Sequence, residues 1–151
     1  MKYKIYIDID GVLADFDKKI PHSINGHEEL VDYIKNHAIL KKPFWADLEK
    51  NKDIDKLLNF LEPHNPVVLS SIGKLNYAIP QKIQWLKKHT SLKKYIFTYE
   101  SKIKVNFSKE NSILIDDRQY IINDWVKNGG IGILFTTAID TIEGLKLILN
   151  S

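Results

Sequence analysis

Four short apolar runs, far apart in the chain and separated by helical patterns, constrain this sequence more than any other feature. Ile5 to Ile9, Val67 to Leu69, Ile113 to Ile115 and Ile131 to Phe135 are each rich in β-branched and aliphatic residues and bounded by polar or turn residues. Tyr95 to Thr98 is a weaker fifth candidate. Between these runs, Ile79 to Lys88 places Ile79, Ile83 and the pair Trp85-Leu86 about one helical turn apart. Arg118 to Lys127 carries Tyr120, Ile121, Ile122 and Trp125, then stops at Asn128-Gly129-Gly130. Ile139 to Leu149 sets Ile142, Leu145 and Leu149 on one stripe. Uninterrupted apolar strands that alternate with helices must be covered on both faces. The pattern therefore predicts an α/β three-layer domain with a mostly parallel sheet.

The stretch from Asp17 to Glu62 breaks the alternation. It shows no convincing strand and reads as helical pieces, Glu28 to Asn36 and Ile54 to Leu61, with Lys42-Pro43-Phe44-Trp45 between them. An all-helical insert after the first strand is a candidate lid over the ligand site that open α/β sheets carry at their strand ends. The expected division is a core of residues 1–16 and 63–151 and a small helical cap of residues 17–62.

Length and composition narrow the function. A chain of 151 residues suits one domain with a real core. The absence of cysteine excludes a disulfide framework, a thiolate zinc site and a cysteine nucleophile. Lys and Arg number 22 against 19 Asp and Glu, a formal net charge of +3, and Arg118 is the only arginine. That balance suits a small anion better than a long nucleic acid, for which Arg is the better phosphate fork. The first apolar run is broken at once by acids, and no later stretch reaches ~20 apolar residues. No signal peptide, membrane span or membrane partner is expected, and the expected location is cytoplasmic.

The acids carry the chemistry. Asp8-Ile9-Asp10-Gly11 follows the first apolar run, so both carboxylates fall at its carboxyl end, and Gly11 lets the chain turn there. Asp116-Asp117 follows Ile113 to Ile115 in the same way. Close carboxylates repel by ~4 kcal/mol per pair at intermediate dielectric. Such a cluster persists when a hard divalent cation occupies it, and all-oxygen ligands favour Mg²⁺. Ser70-Ser71 ends the second run ahead of Ile72-Gly73-Lys74, where a hydroxyl and free backbone N–H groups can hold phosphate oxygens. Lys102 and Lys104 precede Asp116 in a loop leading to the same strand, and a cation there offsets charge built up in phosphoryl transfer.

The order Asp-x-Asp, Ser, Lys, acidic pair resembles the haloacid dehalogenase superfamily, here as Asp8/Asp10, Ser70, Lys104 and Asp116/Asp117. Three segments, Asp8 to Phe16, Leu114 to Arg118 and Trp125 to Phe135, look like the 5'(3')-deoxyribonucleotidase family. The resemblance implies a Rossmann-like core and a Mg²⁺-dependent phosphomonoesterase that dephosphorylates nucleoside monophosphates through an aspartyl phosphate. Asp8 would attack phosphorus. Asp10 would protonate the leaving oxygen and then activate water, Lys104 would neutralise charge with Lys102 as its fallback, and Ser70 with the Ser71 backbone would hold phosphoryl oxygens. Metal would be held by the Asp8 carboxylate, the Asp10 carbonyl and one of the final pair, with Asp117 favoured as direct ligand and Asp116 in support. Phe16, Trp45, Ser71 and Lys74 are the expected substrate contacts. Trp45 reads equally as a base platform or as lid core, and Phe44 as lid core. Arg118 reads first as a surface ion pair orienting Asp116 or Asp117, with direct substrate contact as the alternative. Two competing readings keep the fold: hydrolysis of a polynucleotide terminal phosphate or another small phosphate ester, and nucleotide binding without turnover.

Overall fold

A computed structural model describes residues 2–151. Five strands form one sheet: β1 (Lys4–Ile7), β2 (Val67–Ser71), β3 (Tyr95–Thr98), β4 (Ser112–Asp116) and β5 (Ile131–Leu134). Their order is β3-β2-β1-β4-β5, and every neighbouring pair is parallel. The weak candidate Tyr95 to Thr98 is thus a full member of the sheet. Six α-helices accompany it: α1 (Phe16–Lys19), α2 (Gly26–Ile39), α3 (Ile54–Leu61), α4 (Ala78–His89), α5 (Gln119–Lys127) and α6 (Ala138–Leu149). Among the described residues, no helix is long and apolar enough to cross a membrane.

Strand parity sorts the core into two layers. Ile5, Ile7, Val68, Ile113 and Ile115 face a large cluster that includes Leu57 and Leu61 of α3, Trp85 and Leu86 of α4, and Leu145 of α6. The alternate residues Tyr6, Val67, Leu69 and Leu114 meet Ile121, Ile122 and Trp125 of α5 on the opposite face. Both faces are covered, so the strands need no polar alternation. The order reverses between β1 and β4, and their carboxyl ends flank the crevice where such sheets bind ligands.

Three local details depart from the sequence pattern. The inward face of α4 is Ala78, Lys82, Trp85 and Leu86, with Ile79 and Ile83 only partly buried beside it. The helical stripe is therefore turned by one residue from the one drawn through the isoleucines. Lys102 and Lys104 lie not in an irregular loop but in a 3₁₀ helix, Ser101–Phe107. Within residues 17–62, Phe44, Trp45, Leu48, Ile54, Leu57 and Leu61 are buried in the same cluster as the strands. The longer helix α2 instead buries only Ile34 among the described residues.

Candidate active site

The turn after β1 positions the first acidic pair. Val12 and Ala14 N–H groups donate to the Ile9 carbonyl at 3.1 and 2.9 Å, and Gly11 N–H donates to the Ala14 carbonyl at 3.0 Å. Gly11 has φ +78°, which an L side chain rarely adopts. Space demands glycine as well, because a Cβ there would lie 2.0 Å from Asp117 Oδ2. The turn thereby lets Asp117 of the second pair close onto the first. One carboxylate oxygen from each of Asp8, Asp116 and Asp117 lies within 4.8 Å of the others.

Two buried lysines enter this region from opposite layers. Lys104, 2 % exposed, places Nζ 3.1 Å from Asp8 Oδ2 and 2.8 Å from Asp116 Oδ2. Burial pulls its pKa down, but the Asp8 and Asp116 charges outweigh that and raise it above the ordinary lysine value. The second is Lys82 on α4, 1 % exposed, which the sequence reading missed. Its Nζ donates to Ser70 Oγ at 2.8 Å, to the Ser71 carbonyl at 2.7 Å and to Asp10 Oδ2 at 3.1 Å. Parity accounts for the division: Ser70 points with Val68 toward α4, whereas Asp116 points with Leu114 toward α5.

The final pair is divided in the same manner. Asp116 is fully buried, accepting from Lys104 and from the Arg118 backbone N–H at 3.0 Å. Burial and then the Asp8 charge raise its pKa, against the pull of Lys104. Asp117 makes no ion pair among the described residues. The residue as a whole is exposed, yet its carboxyl group lies against Gly11. Desolvation of that group, with the charges of Asp8 and Asp116, raises its pKa to about 7. The Arg118 guanidinium bonds Ser101 Oγ and Tyr120 OH, each at 3.3 Å, and the expected side-chain ion pair with Asp116 or Asp117 is absent among the described residues. The backbone of Arg118, rather than its charge, orients Asp116.

These donors fit a divalent cation. Asp8, Asp10, Asp116 and Asp117, when ionised, face two lysine ammoniums, and two negative charges stay uncompensated. All the carboxylate donors are oxygen, the preference of Mg²⁺. Asp117, with no ion pair among the described residues, is the side chain of the triplet most open to a cation, while Asp8 and Asp116 both pair with Lys104. The Asp10 carboxylate lies outside the acidic triplet, engaged by Lys82 and, at 3.2 Å, by Trp45 Nε1. The Asp10 side chain is therefore outside the candidate ligand set.

Beside this centre is a cavity of about 430 Å³. Asp10 and Ser71 line it, with Phe16, Leu30, Ile34 and Trp45 as an apolar wall. Lys74, Lys102 and Arg118 line it with Glu100, which pairs with Lys74 at 3.0 Å and with Lys102 at 3.1 Å. Lys102 is thus drawn to the cavity and away from Asp8 and Asp116, where Lys104 sits. Phe44 is 1 % exposed and lines no part of the cavity. Asp8, Ser70 and Lys104 are buried and adjoin the cavity through Asp10 and Ser71 rather than lining it.

The fold is one shared with haloacid dehalogenase-superfamily hydrolases. A Had-superfamily hydrolase from Ehrlichia chaffeensis superposes with a TM-score of 0.59 at 15% identity, over 99% of this chain and 100% of that one. D,D-heptose 1,7-bisphosphate phosphatase from Burkholderia thailandensis gives 0.55 at 9% identity, over 95% and 85%. L-2-haloacid dehalogenase from Xanthobacter autotrophicus gives 0.53 at 11% identity, over 100% and 84%. No protein-family model matches the chain, and no curated protein matches it.

Proposed function

We propose that this protein is a Mg²⁺-dependent phosphomonoesterase that acts on nucleoside monophosphates, deoxy forms preferred, through an aspartyl phosphate. The observation that carries the reading is Asp8 at the β1 end, held by Lys104 and clustered with Asp116 and Asp117, next to Asp10 at the wall of an aromatic-lined cavity. Fold neighbours that are phosphatases and dehalogenases support a hydrolase.

An Asp8 carboxylate oxygen attacks phosphorus, and the bond from phosphorus to the ester oxygen breaks. Asp10 gives its proton to that oxygen, which leaves as an alcohol. Water then attacks phosphorus of the aspartyl phosphate while Asp10 takes back a proton, releasing inorganic phosphate and the Asp8 carboxylate. Lys104 offsets the charge of Asp8 and Asp116, and Ser70 and Ser71 hold phosphoryl oxygens. The metal, held by Asp8, Asp117 and the Asp10 carbonyl, would supply charge neutralisation for the approach of phosphate to carboxylate. Phe16 and Trp45 offer ring surface to a base, for which stacking contributes ~1–3 kcal/mol. Lys74 and Lys102 bring positive charge to an anionic ligand.

The test is phosphate release from a panel of 5'- and 3'-mononucleotides, 3'-phosphorylated oligonucleotides and sugar phosphates, with Mg²⁺ and with EDTA. Release from mononucleotides that needs Mg²⁺ and is lost in Asp8→Asn supports the reading. Faster release from oligonucleotides or sugar phosphates moves the substrate. Tight nucleotide binding with no release from any ester overturns hydrolysis.

A further inference from the structure

The Asp10 carboxylate is held from one side only. Oδ2 accepts from Lys82 Nζ at 3.1 Å and from Trp45 Nε1 at 3.2 Å, while Oδ1 is buried with no partner. Both donors are themselves fixed. Lys82 is tied to Ser70 Oγ and the Ser71 carbonyl, so the side chain that grips Asp10 is anchored to the phosphate-holding strand end. The residue before it, Gln81, accepts through Oε1 from the backbone N–H groups of Phe44 and Trp45 at 2.7 and 2.9 Å. The Lys82 ammonium also lies 5.7 Å from the centre of the Trp45 ring. One turn of α4 therefore clamps both the core and the part of the insert that carries Trp45.

We propose that Lys82 and Trp45 are positioning residues, which hold the Asp10 carboxylate by Oδ2 and fix the orientation in which it exchanges a proton with the ester. A free carboxylate can present either oxygen and rotates about its bond to Cβ. Two donors on one oxygen, converging from the core and from the insert, remove that freedom. A displacement of ~1 Å at a reacting group can cost ~10²-fold in rate. Trp45 then has two parts: its ring lines the cavity and its N–H orients the acid. The proposal rests on the hydrolase reading above.

The measurement is a ratio of two kcat/KM values, one for a nucleoside monophosphate and one for 4-nitrophenyl phosphate, each reporting only the steps up to cleavage of the ester bond. An alkoxide leaving group needs the proton from Asp10, and nitrophenolate does not. Loss of grip on phosphate, or general damage to the fold, lowers both rates together and leaves the ratio alone. Lys82→Met and Trp45→Phe, the latter keeping an aromatic ring, are each expected to lower the ratio about 10- to 100-fold. In an Asp10→Asn background neither is expected to change it further, because the group they position is gone. An unchanged ratio in both single variants overturns the proposal, and so does an equal fall in the ratio with Asp10→Asn already present.

A second readout needs no turnover and separates failure of this proposal from failure of the hydrolase reading. The chain has three tryptophans, so the Trp45 indole N–H resonance is assignable from Trp→Phe variants. Loss of its charged acceptor in Asp10→Asn is expected to move that resonance upfield. A resonance that stays in place overturns the Trp45 contact even if the enzyme is active. A resonance that moves, in a protein that cleaves no ester, sustains the clamp on Asp10 and overturns only the hydrolase reading and the proton exchange built on it.

Discussion

At the scale of single residues, the site depends on what a side chain must avoid as much as on what it touches. Gly11 combines a left-handed backbone with a missing Cβ, and Asp117 occupies the space that Cβ would take. Gly11→Ala is expected to cost ~1–2 kcal/mol from backbone strain alone, read from urea unfolding. It is also expected to push Asp117 out of the acidic triplet and abolish the Mg²⁺-induced rise in melting temperature. If that rise survives in Gly11→Ala, Asp117 is not a ligand. Asp8→Asn tests the nucleophile role proposed for Asp8: an expected fall of roughly 10⁴-fold in phosphate release, with the fold retained. Legibility differed sharply between these residues. Asp8, Asp10, Asp116 and Asp117 stand out because each pair follows an apolar run. Lys82 does not, since a lysine inside a helix that also carries the exposed pair Lys87 and Lys88 reads as solvated. Its signal was phase: Ala78, Lys82 and Trp85 share one stripe, and a lone lysine within it has to find acceptors indoors.

At the scale of elements, the sheet was legible because parallel strands buried on both faces need continuous apolar runs, and helices of ordinary length lie between them. The insert was less so. Its helices α2 and α3 could be placed, but a helical pattern does not say which layer it packs on. Leu57 and Leu61 of α3 are fully buried in the main core, whereas α2 is covered mainly along one edge. The short 3₁₀ helix Trp45–Asp47 between them has no regular periodicity to reveal it, and its geometry comes from Gln81. That single side-chain oxygen caps the backbone N–H groups of Phe44 and Trp45, with Ala46 at 3.4 Å. Gln81→Leu leaves these partly buried donors without an acceptor and is expected to destabilise the protein by ~1–3 kcal/mol in urea unfolding. Gln81→Glu, which keeps an accepting oxygen, is expected to restore most of that stability. Equal losses in both variants would show that the cap is not what holds the segment.

At the scale of the whole molecule, the charge balance concentrates into one prediction. A net charge of +3 conceals a knot of four carboxylates on two buried lysines, and the rest of the surface is correspondingly more basic. Asp117 is raised from 3.8 to about 7 by desolvation and by the charges of Asp8 and Asp116. A carboxyl group whose folded pKa is raised binds a proton in the native state that the unfolded chain has already lost. Its contribution to stability is complete below about pH 4 and falls away as pH rises to about 7. Asp116 shifts in the same direction. His89 has the opposite sign, because burial and then Lys88 lower its pKa below 6.5, so its contribution grows as pH rises toward that value. Subtracting the unfolding free energy of Asp117→Asn from that of the wild type at each pH removes the His89 part. In EDTA this difference is expected to move against the wild type between pH 4 and pH 7, then level off. Mg²⁺ is expected to invert the outcome, because an ion held by these carboxylates would bind only after the proton leaves. At 100 times its dissociation constant a ligand adds ~2.7 kcal/mol, roughly 5–10 °C for a chain of this size. That rise is expected in full at pH 8, to shrink by pH 5.5, and to be largely lost in Asp117→Asn. A Mg²⁺ shift equal at both pH values, or intact in that variant, would place the cation elsewhere and return Asp117 to the surface.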